Sequence, residues 1–264
     1  MKPMRPNLLR ARLNEGKPTI GFHLLAPSPE LLEIIGLTGA VDYVEFVGQY
    51  STYDLAWLDT LGRITELYDM SSMIKVDQSL QTFQAQRAVG AGIQSILFTD
   101  LRNVQETEEA VKSIRPDTPE GRGILGVSQR RNYRYFLESG SPALPQVYRD
   151  IVVAVMIEKK GAVDDLEKIL KLDDVDMIQW GSGDYAFNVG RSGEREADEF
   201  KEIERYVIDT CLKHNKPPRI ELRELDNVEE YLNMGIKHFC VGFDTRIIYQ
   251  WVKTNGEKLR SLLG

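Results

Sequence analysis

Glu158 ends the apolar run IVVAVMIE, and Asp184 follows the run DMIQW just past two glycines, in GSGD. Read as strand, helix and strand, the stretch from Ile151 to Asp184 delivers one acid at the C-terminal end of each of two parallel strands. Acids placed this way face one ligand. That is the geometry a hard divalent cation needs, with one or two carboxylates and with water and substrate oxygens completing the octahedron. The structural alternative pairs Glu158 with Lys159 or Lys160, or has it cap the next helix. Lys75, at the end of SSMIK, suits a lysine that polarises a carbonyl or forms a Schiff base if its pKa is depressed. It equally suits a rim lysine paired with Asp77 or Glu45. Among the three histidines, His214 sits in a polar helix end and His238 begins a strand, which leaves His23 as the one expected at a rim. Tyr50, in GQYSTYD, is a candidate proton donor or a packing residue. GSGDYA also fits the dinucleotide fingerprint G-x-G-x-x-A, but it falls in the sixth strand unit rather than the first. Asp184 would put negative charge where a pyrophosphate lies. Backbone N–H groups at Ser182, Gly183 and Asp184 suit a small carboxylate ligand better.

These residues need a scaffold that brings strand ends together. The chain reads as TIGFHLLA, DYVEFVG, SSMIKVD, SILFTDL, IVVAVMIE, DMIQW, PPRIELRE and HFCVGFD, eight short apolar strands, seven of them followed by helix-like segments. The alternation calls for a parallel sheet, and the count of eight favours a closed (β/α)₈ TIM barrel of class α/β over a doubly wound sheet. Asp54 and Asn103 are expected N-caps, Pro29 sits in a helix's first turn, and Gly90 and Gly92 mark a helix stop. In a barrel the functional rim carries His23, Glu45, Gln49, Tyr50, Lys75, Asp77, Asp100, Glu158, Asp184, Arg223 and Asp244. Asp77, Asp100 and Asp244 read first as helix caps or loop contacts. The segment GRGILGVSQRRNYRYFLESGSP, rich in arginine and aromatics, is expected to be a lid, a subunit interface or a solvated loop. One domain over 1–264 is expected, since no linker interrupts the pattern.

Composition narrows the classes. A net charge of −7 argues against a nucleic-acid partner. No apolar run approaches the ~18 residues of a membrane span. The opening MKPMRPNLLRARLNEGKP is too broken by charge and proline for a signal peptide. Cys211 and Cys240 make no CxxC pair, so neither a disulfide framework nor a zinc site is implied. A cytoplasmic globular protein is the expectation.

The chain resembles the metal-dependent (class II) 2-oxo-acid aldolases of the HpcH/HpaI type, within the phosphoenolpyruvate/pyruvate-binding barrel superfamily. The resemblance runs through LLRARLNEGKPTIGFHL, GAVDYVEFVGQYSTYDL, AVGAGIQSILFTDLRNVQETEEAV, PEGRGILG, VMIEKKGAVDDLEKIL, VDMIQWGSGDYA and MGIKHFCVGFDT, nearly the whole chain. It implies Glu158 and Asp184 as ligands of Mg²⁺, Mn²⁺ or Co²⁺, and the backbone at Ser182, Gly183 and Asp184 as the cradle of a pyruvate carboxylate. Lys75 falls where the family has a carbonyl-polarising arginine. The implied activity is a carbon–carbon lyase acting on a 4-hydroxy-2-oxo acid, with a pyruvate-like acid and an aldehyde as partners. The implied assembly is a homo-oligomer, a trimer of dimers, in which the last helix is exchanged between subunits. The departures are Tyr50 where the family has its catalytic histidine, Gly90 where that histidine's acidic partner lies, His23 for a frequent tryptophan and Met156 for a common glutamine. With that base absent, Tyr50 or His23 is left to move the proton. The alternatives are a decarboxylase of an oxaloacetate-like acid and a non-catalytic metal or oxo-acid binder.

Overall fold

The computed structural model describes residues 5–264; residues 1–4, the start of the stretch read above as lacking a signal peptide, lie outside it. Eight strands, β1 (Thr19–Leu24), β2 (Tyr43–Phe46), β3 (Ser71–Lys75), β4 (Ser95–Phe98), β5 (Val152–Ile157), β6 (Met177–Trp180), β7 (Arg219–Leu222) and β8 (His238–Phe243), form one sheet in the order β6-β5-β4-β3-β2-β1-β8-β7. Every pairing is parallel. A bridge between Ile178 and Pro218, with Ile178 N–H donating to the Pro217 carbonyl at 3.1 Å, brings β7 back to β6. The eight strands thus make a nearly closed TIM-type barrel.

Side chains alternate between the two faces, as the pleat requires. Val44, Phe46, Ile74, Ile96, Phe98, Val153, Val155, Ile157 and Ile178 face outward into the main apolar cluster beneath the helices. Tyr43, Met73, Leu97, Val152, Ala154, Met156 and Met177 fill the barrel, with Leu9 of α1 (Leu8–Asn14) packed on them. Gly21 on β1 lacks a side chain because the Tyr43 ring occupies that space inside the barrel. Continuing the inward series Val152, Ala154, Met156 by one step places Glu158 in the mouth rather than among the helices.

The surrounding helices follow from their caps. Asp54 accepts the Trp57 N–H at 2.9 Å at the start of α3 (Leu55–Leu67), and Asn103 accepts that of Glu106 at 2.9 Å at the start of α5 (Val104–Lys112). Pro29 opens α2 (Pro29–Leu37), and Gly92, at φ 102°, ends α4 (Gln81–Ala91). α6 (Leu144–Arg149) precedes β5, while α10 (Asp198–Lys213) and α11 (Val228–Asn233) flank β7.

Three expectations are corrected. The segment read as one helix after β5 is broken into α7 (Lys160–Asp164) and α8 (Leu166–Leu170) at Asp165, whose carboxylate binds the Val104 N–H at 3.2 Å and Lys168 Nζ at 2.6 Å. Asp184 does not end a strand: β6 stops at Trp180 and Asp184 lies in the first turn of α9 (Ser182–Asn188), a position that favours an acid. The arginine- and aromatic-rich segment is neither a lid over the mouth nor a wholly solvated loop. Arg131, in a 3₁₀ turn at Arg131–Tyr133, bonds Glu66 and the Ala91 carbonyl on α3 and α4, and Tyr133 stacks edge-on against Tyr148 at 5.2 Å. α12 (Asp244–Leu263) begins directly after β8 and leaves the barrel with Ile247, Ile248, Trp251, Leu259 and Leu262 all exposed. Among the described residues no helix is long and apolar enough to cross a membrane.

Candidate active site

A cavity of ≈ 910 Å³ opens at the C-terminal mouth on the β6–β7–β8 side. Tyr50, Lys75, Met156, Gly181, Asp184 and Glu221 line its inner part, and Arg223 and Arg246 lie among its outer residues.

Glu158 follows β5 and is only 1% exposed. Its Oε1 accepts the Asp100 N–H at 2.7 Å, while its Oε2 is buried without a partner. Burial is the largest influence on this carboxyl and pushes its pKa up to about 7; Asp184 and Asp100 push the same way, against Lys75 and the Asp100 N–H. Gly181 is required here: a Cβ at that position would come within 2.8 Å of Glu158 Oε2 and 2.9 Å of Met156 Cε. The glycine thus lets the acid lie flat against the turn that starts α9. A desolvated carboxylate oxygen with no hydrogen-bond partner, near a second acid, is chemically what a hard cation completes.

Asp100 adopts φ 60°, a conformation tolerated by Asp but costly for most residues. Three contacts hold it there. Besides its N–H on Glu158, its carboxylate takes Lys159 Nζ at 2.6 Å and Gln49 Nε2 at 3.0 Å. Lys159 Nζ also reaches Asp184 at 3.7 Å. Neither lysine after Glu158 pairs with it, since Lys160 goes to Asp164 at 2.7 Å. Gln49 and Asp100 were expected at the rim and Lys159 as a partner of Glu158, but the three residues lie in three loops and their contacts with one another were not foreseen.

Lys75 is 7% exposed, with Nζ 4.9 Å from the Tyr50 ring centroid. Burial works to lower its pKa, but Tyr50, Glu158, Glu45 and Glu221 outweigh it and the net direction is upward. A lysine held cationic is a charge donor rather than a Schiff-base nucleophile. Tyr50, 57% exposed, has its phenol pKa raised, first by burial and then by the negative charges of Asp184 and Glu158, against Lys75. Such a phenol stays protonated and can donate, but it does not accept a proton at neutral pH. Gly90 lies in α4, where a Cβ would run into the Arg130 side chain. The space beside that position is therefore taken by Arg130 of the arginine- and aromatic-rich segment, not by an acid.

His23 does not reach the open rim. It is 1% exposed, stacked on Phe243 with centroids 4.6 Å apart and ring planes 6° apart. Its Nδ1 lies 2.8 Å from the Gly242 carbonyl, and its Nε2 lies 3.8 Å from both Glu45 and Glu221. Beneath it Arg219 fills the barrel, bonded to Tyr43 Oη at 2.6 Å and to Gln179 and Glu45. Burial would raise the Glu45 pKa, yet Arg219, with His23 and Lys75, holds it below the usual carboxylate value. His23, Glu45 and Cys240 offer ligand atoms within 4.8 Å of one another. The Arg219 guanidinium already neutralises that group. Asp244 and Asp77 follow their structural readings: Asp244 clamps the Leu25 and Ala26 N–H groups at 3.0 and 2.8 Å, and Asp77 accepts the Ser79 N–H at 3.2 Å.

The fold defines a class, the (β/α)₈ barrels whose cavity opens at the C-terminal ends of the strands. Within that class the chain belongs to the HpcH/HpaI aldolase/citrate lyase family, whose model matches residues 22–250. It is 24% identical over 243 residues to a 4-hydroxy-2-oxo-heptane-1,7-dioate aldolase of Escherichia coli, covering 92% of this chain and 90% of that one. A family member from Burkholderia cenocepacia superposes with a TM-score of 0.86 at 19% identity, covering 96% of this chain and 99% of the other. A citrate lyase beta subunit from M. tuberculosis, solved with oxaloacetate and magnesium, superposes with a TM-score of 0.57 at 12% identity, covering 88% and 93%.

Proposed function

We propose that the protein is a divalent-metal-dependent carbon–carbon lyase that cleaves or forms a 4-hydroxy-2-oxo acid through a pyruvate enolate. The observation that carries this reading is the Glu158 carboxylate, desolvated and with Oε2 unpartnered, whose charge is felt by Asp184 and Lys75, two residues that line the cavity. The family and the aldolase it resembles favour the same chemistry.

Glu158 and Asp184 are the metal ligands in this reading, and the cation supplies charge for the carboxylate and 2-oxo groups of the substrate. Ser182, Gly183 and Asp184 orient the substrate carboxylate at the start of α9. Lys75 adds positive charge where the enolate oxygen develops, and a buried ammonium is worth more there than one in water. Asp100 fixes the Glu158 carboxylate, and Lys159 steadies Asp100 and Asp184. Tyr50, protonated, donates to substrate oxygen.

A second reading, decarboxylation of an oxaloacetate-like acid, is favoured by one observation: the phenol at Tyr50 cannot take the proton that retro-aldol cleavage must remove. The oxaloacetate in the related citrate lyase structure is in keeping with it. The assembly we propose is a homo-oligomer with α12 docked on a neighbouring subunit, because its apolar side chains are exposed on its own chain.

The test is release of pyruvate from 4-hydroxy-2-oxopentanoate, 4-hydroxy-2-oxoheptanedioate and oxaloacetate, with Mg²⁺ or Mn²⁺ and with chelator. Turnover that needs the metal and vanishes in Glu158→Ala is expected. Turnover indifferent to metal and to that substitution would sink the reading.

A further inference from the structure

The retro-aldol step needs a group that takes a proton from the C4 hydroxyl, and the residues singled out by sequence do not supply one. Tyr50 stays protonated, His23 is enclosed, and Glu158 and Asp184 are committed to the cation. Of the other acids lining the cavity, Glu204 accepts the Tyr231 hydroxyl at 3.1 Å, Glu224 pairs with Arg246 at 3.7 Å, Glu196 pairs with Arg195 at 3.4 Å, and Asp226 lies exposed in the turn beyond β7 rather than on an inward-facing strand position.

Glu221 differs from all of these. The β7 pleat sends Ile220 and Leu222 outward into an apolar cluster, and so turns Arg219 and Glu221 toward the barrel axis. Arg219 is fully enclosed, but Glu221, one step nearer the mouth, lines the cavity together with Lys75 and keeps 31% of its side chain exposed. Its Oε2 takes a long bond from Gln179 Nε2, 3.3 Å, and its Oε1 accepts no hydrogen bond among the described residues.

His23 stands directly behind it. A backbone carbonyl only accepts, so the 2.8 Å contact to Gly242 puts a proton on Nδ1. Nε2 then points, buried and without a hydrogen-bond partner, at Glu221 Oε2 and Glu45 Oε1, each 3.8 Å away. A neutral ring presents a lone pair to the two acids, and a protonated ring presents a donor. Either form of the ring therefore faces the Glu221 carboxylate on its enclosed side, opposite the cavity. Gln179, held by Arg219, and Phe243, stacked on the ring, fix both side chains.

We propose that Glu221 is the catalytic base of this site and that His23 is its positioning residue. This rests on the lyase reading above. In cleavage the C4 hydroxyl proton passes to Glu221, and the O–H electron pair becomes the second C–O bond of the departing aldehyde. The C3–C4 pair stays with the pyruvate fragment as its enolate. The proton on Glu221 is then delivered to C3, giving pyruvate and restoring the carboxylate.

The experiment compares wild type with Glu221→Gln, Glu221→Asp and His23→Gln in two reactions and one binding measurement. Glu221→Gln lowers retro-aldol kcat about 100-fold or more, the range for loss of a general base. It keeps metal-dependent decarboxylation of oxaloacetate, in which no O–H bond must be broken by a base, and keeps the calorimetric Kd for pyruvate within about threefold, the spread expected where no charged contact is lost. Glu221→Asp recovers part of the rate, and His23→Gln shifts the pH profile of retro-aldol kcat without moving the pyruvate Kd. Retro-aldol turnover in Glu221→Gln close to wild type overturns the assignment, as does an equal loss of decarboxylation, which would make Glu221 a structural part of the metal site. A wild-type protein that turns over neither substrate overturns the lyase reading itself, and the base falls with it.

Discussion

The desolvated carboxyl of Glu158 has a thermodynamic consequence that needs no substrate to measure. Its pKa is pushed up to about 7 in the folded metal-free protein, against about 4.3 for glutamate in an unfolded chain. A carboxyl whose folded pKa is raised binds more protons folded than unfolded, so the native state loses stability as pH rises between those two values. The difference of about 2.7 units corresponds to about 3–4 kcal/mol at 1.36 kcal/mol per unit. That cost is absent below pH 4 and fully present above pH 8. Glu158→Gln keeps an oxygen for the Asp100 N–H but carries no charge at any pH. It should therefore melt close to wild type near pH 4.5 and above it at pH 8, by about 6–16 °C at 2–4 °C per kcal/mol for a chain of this size. Thermal melts by circular dichroism in chelator at both pH values make the comparison. Added Mg²⁺ or Mn²⁺ should raise the wild-type midpoint at pH 8 by the ligand term, about 2.7 kcal/mol at a hundredfold excess over Kd, and leave Glu158→Gln unmoved. A melting difference between the two proteins that is the same at both pH values would refute the reasoning, because it would show that the buried charge costs nothing.

Other expectations follow from named contacts. Lys75→Met, which removes the ammonium beside the Tyr50 ring, should weaken pyruvate binding and cut kcat by about 100-fold or more; retention of wild-type kinetics would exclude a role in charge stabilisation. Arg219→Met strands the Glu45 carboxylate inside the barrel and should cost about 3–5 kcal/mol of stability at neutral pH, read as a lowered denaturation midpoint. A chain ending at Phe243, without α12, should run as a smaller particle than the full chain in light scattering if that helix joins subunits; an unchanged assembly mass would contradict the exchange.

The barrel was legible because its signals are local and repeated: eight apolar runs, cap residues such as Asp54 and Asn103, and helix punctuation at Pro29 and Gly92. What escaped was set by tertiary contact. Nothing near Asp165 in sequence announces that its carboxylate binds the Val104 N–H and splits a helix in two. The turn at Gly181 that carries Asp184 onto a helix depends on room for the Glu158 carboxylate, 23 residues earlier. For the site, Glu158, Asp184, Lys75 and Tyr50 were marked by position at strand ends, and the last three line the cavity. His23 looked like a rim residue, but Phe243 covers it. Glu221 passed unremarked because RIEL reads as an ordinary strand, and only the pairing of β7 with β8, whose other neighbour is β1, gives its carboxylate a histidine behind and a cavity in front.

The central claim is that Glu158 and Asp184 hold a cation that in turn holds an oxo acid. Isothermal titration of oxalate, a planar mimic of the pyruvate enolate, tests it most directly. With Mg²⁺ or Mn²⁺ present the wild-type protein should bind oxalate saturably, and binding should disappear in chelator, in Glu158→Ala and in Asp184→Ala. Oxalate binding that survives in chelator, or that Glu158→Ala leaves intact, would contradict it.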